Sequence, residues 1–226
     1  DIEFAGFTYP ERFVKIGTTF DFYQTGFGFC TRNFLSDPDE WCNLFKVLGH
    51  GPPGIWRAVY PTKIGETDEE CLGHAGVQAR MQRFFPKSGD YEIAYRGLYL
   101  VHQRVVETFR KGRILLAGDA AHVNNPIGGL GMNSGIHDAC SLGEKLGRVI
   151  RGEAGDDLLD LYSRQRHKAQ IDGVQATSIA NKRLMEAKDP TVRKRQLGEI
   201  RRTAEDPRRA HAYMRRSALF DSLAAA

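Results

Sequence analysis

Between Gly112 and Leu146 the chain reads GRILLAGDAAHVNNPIGGLGMNSGIHDACSLGEKL, and several residues in that run have types and spacings suited to chemistry. Asp119 follows a short apolar run, which puts it at the carboxyl end of an expected strand, where open α/β sheets place ligands. An ionised carboxylate there accepts strong hydrogen bonds from sugar or ribityl hydroxyls; a loop cap or Asx-turn is the other use of such a residue. Pro126, Gly128, Gly129, Gly131 and Gly135 then lead straight into an apolar helical stripe. Glycines let backbone amides approach a flat or anionic ligand, and a helix N-terminus adds about half a positive charge. The alternative is a tight strand-to-helix crossing without a ligand. Gly129-Leu130-Gly131 does not make a dinucleotide fingerprint, because that fingerprint opens at the strand's end and residues 118–128 intervene here.

These residues need elements to hold them. Arg113 to Ala117 is a nearly continuous apolar run, as in a strand buried on both faces. Beyond the loop, Met132, Ile136, Ala139, Leu146 and Ile150 recur at helical spacing, and Leu158, Leu161, Tyr162 and Ala169 form the stripe of a second helix. His137 and Asp138 read as surface polarity of the first helix. Upstream, Phe13 to Phe22, Gly28 to Leu35, Trp41 to Leu48, Ile55 to Tyr60 and Tyr91 to about Val105 read as strands, with turn chemistry at Ser36 to Asp39 and Gly49 to Gly54. Thr67 and Glu70 have capping-box spacing and open a helix expected to run to about Phe85, before Pro86. On the Ile55 to Tyr60 strand, period-two alternation sets Trp56 and Tyr60 on the face opposite Arg57. Trp56, Tyr60 and Tyr95 are the candidates for a substrate pocket, against an ordinary amphipathic strand, and the same alternative holds for Tyr23 and His102.

The 226 residues are 41% hydrophobic and 10% aromatic, enough for a core, and no apolar run reaches the roughly 20 residues of a membrane-spanning helix. The formal charge is +4, with 12 basic and 6 acidic residues between Asn181 and Ala226. The basic surplus is therefore local, and a nucleic-acid partner is not expected. In that tail Arg201-Arg202, Arg208-Arg209 and Arg215-Arg216 lie about two helical turns apart, with Pro190 and Pro207 at expected helix starts. A solvated helix with Glu–Arg pairs is the favoured reading, an acidic partner the other. Cys30, Cys42, Cys71 and Cys140 show no metal spacing and read as free thiols of a reducing compartment, and no metal site is expected. No secretory signal pattern opens the sequence, so the cytoplasm is the expected location.

The run G-R-I-L-L-A-G-D-A-A-H-x-x-x-P-x-G-G-x-G-M-N-S-G-I-x-D-A resembles the second flavin-binding signature of the class A flavoprotein monooxygenases, the FAD-dependent aromatic hydroxylases typified by para-hydroxybenzoate hydroxylase. IEFAGFTYPERF resembles the start of that family's substrate domain, and LLDLYSRQRHKA its Y-x-x-x-R helix. The resemblance implies that Asp119 binds the ribityl chain of FAD and that Pro126 lies beside the isoalloxazine. It further implies that backbone N–H groups of Gly128, Gly131, Met132 and Asn133 face the N1 and O2 edge, that Gly129 belongs to the same cofactor-binding loop, and that Arg104 lies near the nicotinamide of NAD(P)H. Since the flavin carries the oxygen transfer, His122 is expected to pack rather than to act as an acid or base.

The implied fold is α+β, with an α/β-type FAD-domain portion. A mixed or antiparallel substrate-domain sheet with a helix (1–110) precedes a strand-loop-helix flavin unit (111–180) and a basic helical segment (181–226). The implied activity is hydroxylation of a phenolic or related aromatic or heteroaromatic ring with NAD(P)H and O2 through a flavin C4a-hydroperoxide, in a possible homodimer. A related epoxidase, reductase or halogenase, or a non-catalytic binding module, is the alternative. The family's N-terminal G-x-G-x-x-G unit and Asp-Gly segment are not in the sequence. Part of a longer enzyme is therefore expected in preference to a truncated relative, because a core divided this way exposes a large apolar face.

Overall fold

The computed structural model describes residues 1–49, 51 and 54–220, so His50, Pro52 and Pro53 of the expected Gly49 to Gly54 loop lie outside the described residues. The chain divides into two compact units, and its α+β class is the one expected. One unit comprises Tyr9–Val101 with Met185–Lys188; the other comprises Asp1–Thr8, His102–Leu184 and the residues from Asp189.

In the first of these, strands β1 (Phe4–Thr18), β2 (Arg32–Leu35), β3 (Cys42–Val47), β4 (Ile55–Pro61) and β5 (Ile93–Val106) lie in the order β2-β3-β4-β1-β5. The registers β2/β3, β3/β4 and β1/β4 are antiparallel. Alternation along the strands sends Val14, Ile16, Cys42, Leu44, Trp56, Ala58 and Tyr60 to one face, where they pack with Val77 and Met81 of helix α2 (His74–Phe84). Phe20, Phe22, Phe29, Phe84 and Phe85 extend that core in mostly edge-on contacts, such as Phe22 on Trp56 at 5.4 Å and 73°. Burying a side chain of this size stabilises by about 1.5–3 kcal/mol. The Thr67–Glu70 capping box forms and opens α1 (Asp68–Leu72), but the single helix expected to run to Phe85 is interrupted at Gly73. Gly73 turns extended, and its Cα sits so close to the chain that a Cβ would lie 2.4 Å from the Glu69 carbonyl.

The other unit takes the first residues of β1 and the last of β5, which pairs antiparallel with β8 (His122–Val123) through Arg104↔Val123 and Val105↔His122. The expected strand Arg113 to Ala117 is shorter than its apolar run. β7 (Ile114–Leu115) pairs with β6 (Arg110–Lys111) in a two-stranded ribbon, and Ile114 is 61% exposed. Among the described residues no strand flanks β7 on its other side, so both-face burial is not realised. Helices α3 (Gly131–Ile150), α4 (Asp157–Lys168) and α5 (Ala176–Met185) follow, with a π-helical turn at Ala169–Gln175 between the last two. Val105, Val106, Phe109, Ala121 and Tyr162 form the apolar cluster beneath them. In the tail, α6 (Pro190–Glu205) and α7 (Pro207–Ser217) start at the two expected prolines, capped by Asp189 and Asp206. Glu199 pairs with Arg202 and Arg209, and Arg201 with Glu205, as in a solvated helix surface.

Candidate functional site

The loop between β7 and α3 begins with a tight turn at Gly118, whose φ of 58° suits a residue without a Cβ. Asp119 follows on a single 3-10 turn, Gly118–Ala120, with its side chain exposed. Gly135 of α3 comes so close to this turn that a Cβ there would lie 3.4 Å from the Gly118 Cα. The farther end of the loop bends at Gly128 (φ 115°) and Gly129 (φ 67°), and Pro126 is exposed at its shoulder. Gly129 is committed inside the bend, its N–H donating to Pro126 O at 3.0 Å and its carbonyl accepting from Asn133 Nδ2 at 2.9 Å. The start of α3 is different. Leu130 is its N-cap residue and supplies no side-chain acceptor, and the first turn holds no acidic residue. No side chain caps the leading amides of this 20-residue helix, and Met132 and Asn133 in its first turn are exposed.

Three residues tie the loop down from below. Asp138, on α3 and fully buried, accepts from Gly118 N–H at 2.9 Å, from His122 Nε2 at 2.7 Å and from Arg166 Nε at 2.6 Å. A carboxylate only accepts, so His122 holds its proton on Nε2. Burial works to raise the Asp138 carboxyl, but the bonds from His122 and Arg166, the Arg166 charge and the Gly118 amide outweigh it and hold the group below the usual range. Arg166 also donates through Nη2 to Ser134 Oγ at 3.1 Å, an atom that Gln170 Nε2 reaches as well. In mid-loop, Asn125 N–H donates to the buried Gln103 carboxamide at 3.0 Å, and Ile127 N–H to Asn125 Oδ1 at 3.0 Å. Tyr162 donates to Leu116 O at 2.6 Å, just before the loop.

Of the residues singled out from sequence, Asp119, Pro126, Gly128, Gly129, Gly131, Met132 and Asn133 share this one loop and helix start. Arg104 pairs across to Val123 in the same unit and donates to Phe4 O at 3.2 Å. His122 packs, as expected, against Phe109 with ring centroids 6.1 Å apart. Trp56 and Tyr60 belong to the other unit and lie in its core, Trp56 donating to Asp21 Oδ1 at 2.9 Å and Tyr60 contacting Met81 Sδ at 3.5 Å. Tyr95 lies half-buried on the opposite face with Arg57, whose Nε donates to its hydroxyl at 2.7 Å. All four cysteines are free, and burial pushes the Cys42 thiol up to about 12.

Asp138 corrects the sequence reading: in place of the expected helix surface it lies fully buried, as does its partner Arg166. The stripe of α3 is inverted with it. Ser134, Asp138 and Ser141 are buried, whereas Met132 is 77% exposed and Ile136 52%. The available signal was the Tyr162-x-x-x-Arg166 spacing, which needs an anion to face the buried guanidinium.

The site thus combines a helix end without a side-chain cap, a glycine bend before it and an exposed carboxylate at the neighbouring turn, a donor and acceptor set whose chemistry suits a polar ring joined to a polyhydroxyl chain. The residues present fit a flavin. Residues 54–177 match the FAD binding domain family model, and the chain belongs to that family. It is 35% identical over 195 residues to para-nitrophenol 4-monooxygenase of Pseudomonas sp. (strain WBC-3), a match covering 85% of this chain and 47% of that protein. To 6-hydroxy-3-succinoylpyridine 3-monooxygenase HspB of Pseudomonas putida it is 33% identical, covering 80% of this chain and 44% of the relative. The crystal structure of p-nitrophenol 4-monooxygenase PnpA from Pseudomonas putida DLL-E4 superposes with a TM-score of 0.84 at 32% identity, over 98% of this chain and 54% of that one. The chain thus spans about half the length of these relatives.

Proposed function

We propose that this chain is part of an FAD-dependent monooxygenase that hydroxylates a phenolic or related heteroaromatic ring, with NAD(P)H and O2 as co-substrates. The observation that carries the reading is the uncapped α3 N-terminus behind the Gly128–Gly131 bend. Bound FAD would supply the electron transfer and the oxygen chemistry. The chain's own contribution is binding, orientation and charge. Asp119 would accept hydrogen bonds from the ribityl hydroxyls. The amides at Gly131, Met132 and Asn133 would hold the electron-rich side of the ring, and the helix dipole would stabilise negative charge there without a mobile cation. Gly128 shapes the bend through its φ of 115°, where a Cβ would lie 2.8 Å from Asn181 Nδ2. Gly129 has its N–H engaged with Pro126, so it shapes the bend instead of donating. Pro126 and Met132 offer apolar surface that excludes water.

Arg104 is assigned to the nicotinamide side, and residues 1–110 to the aromatic substrate. Trp56 and Tyr60 support that sheet from its core, and Tyr95 with Arg57 stands on the other face. A phenolic or heteroaromatic substrate agrees with the names of the relatives, which specify para-nitrophenol and a hydroxylated pyridine. Residues 111–180 are the flavin-binding portion and 181–226 an accessory basic segment of a cytoplasmic, homodimeric enzyme. No described helix is long and apolar enough to cross a membrane.

Replacing Asp119 with Ala is expected to weaken FAD binding about tenfold, as loss of a charge-assisted hydrogen bond does. Flavin fluorescence titration measures this, and an unchanged dissociation constant would count against the assignment of Asp119.

A further inference from the structure

We propose that Asp138 and Arg166 are positioning residues for the flavin-facing loop, so that cofactor affinity depends on two buried side chains beneath the ligand surface. The inference rests on the flavin reading above. Asp138 Oδ2 receives both the Gly118 N–H at 2.9 Å and His122 Nε2 at 2.7 Å, while Oδ1 receives Arg166 Nε at 2.6 Å. One carboxylate therefore joins the turn that presents Asp119, the strand that follows it, the helix whose N-terminus faces the ligand, and α4. Gly118 is bonded to Asp138 and is the residue immediately before Asp119, and Gly135 of α3 sits directly against it. A shift of the carboxylate moves the Asp119 turn relative to the α3 amides, and both must meet one rigid ligand. Arg166 fixes the carboxylate from the other side, and its Nη2 on Ser134 Oγ ties the same guanidinium to the first turn of α3. Both charges are fully buried, so each is the partner that makes the other tolerable.

This arrangement separates position from stability. Asp138→Asn keeps the size but turns one acceptor into a donor facing donors, and Arg166→Met leaves the carboxylate uncompensated. Each single variant is expected to lower the melting temperature. The double variant carries neither buried charge and recovers most of that loss, yet Gly118 still lacks its carboxylate.

The experiment compares the complete enzyme that contains this chain, the two single variants, the double variant and Leu159→Ala, a core change on α4. Melting temperature, hydrogen–deuterium exchange of residues 116–125 and FAD binding by flavin fluorescence are measured for each. The expected result is that the double variant melts close to wild type while residues 118–123 exchange about tenfold faster and FAD binds about tenfold more weakly, the size of effect left by an unpaired buried donor. Wild-type exchange and FAD affinity in the double variant would overturn the proposal. So would equal release of the loop in Leu159→Ala. If the wild-type complete enzyme takes up no FAD, the flavin reading fails, and the exchange measurement alone decides the positioning claim.

Discussion

The three donors converging on Asp138 make the group sensitive to pH in a direction that can be worked out. An unfolded aspartate titrates near about 3.9. In the folded chain the carboxyl is held lower, because the hydrogen bonds and charge around it outweigh burial. Its contribution to stability is therefore complete above the unfolded value and is lost as pH falls through the folded one. The difference in melting temperature between wild type and Asp138→Asn is expected to be constant above about pH 5 and to shrink below about pH 4. A gap unchanged down to pH 2 would show that the native carboxyl is not held in its ionised form. Asp119, nineteen positions earlier, is exposed and carries no such converging set of donors.

At the scale of the element, α3 is built against the usual rule. Its polar residues Ser134, Asp138 and Ser141 face inward at helical spacing, and its apolar residues Met132, Ile136 and Ile150 face outward. The inward face is stable because its polar groups are bonded: Ser134 Oγ serves both Arg166 and Gln170. Ser134→Ala is expected to cost about 1–3 kcal/mol by leaving those donors unpaired, whereas Ile136→Gln should change stability by less than about 0.5 kcal/mol. Thermal melts of the two variants check the contrast, and the reverse ranking would mean that the outer face carries the packing. The two tail helices follow ordinary rules instead, each beginning with an aspartate cap and a proline.

For the molecule as a whole, the consequence of the flavin reading is linkage. A ligand that binds only the folded chain stabilises it by about 2.7 kcal/mol at a hundredfold excess over its dissociation constant. For a chain of this length that raises the melting temperature by about 2–4 °C per kcal/mol. FAD is expected to produce a shift that grows with its concentration, and riboflavin, which lacks the phosphates but keeps ring and ribityl chain, a smaller one. A melting temperature indifferent to both would oppose flavin binding by this chain.

The sequence alone determined the features that depend on neighbours along the chain. Turn glycines, the Thr67–Glu70 box, the proline helix starts, the alternation that sets Trp56 and Tyr60 on the face opposite Arg57, and the loop from Asp119 to Asn133 each follow from backbone preference or a short period. Only the tertiary structure decided what depends on partners distant in sequence. Asp138 and Arg166 are 28 positions apart and Gly118 and Asp138 are 20 apart; read singly, a charged residue on a helix belongs in water. What puts these groups inside is that each supplies the hydrogen bonds and countercharge the others would lose on leaving solvent, a balance that exists only once α3, α4 and the loop have met.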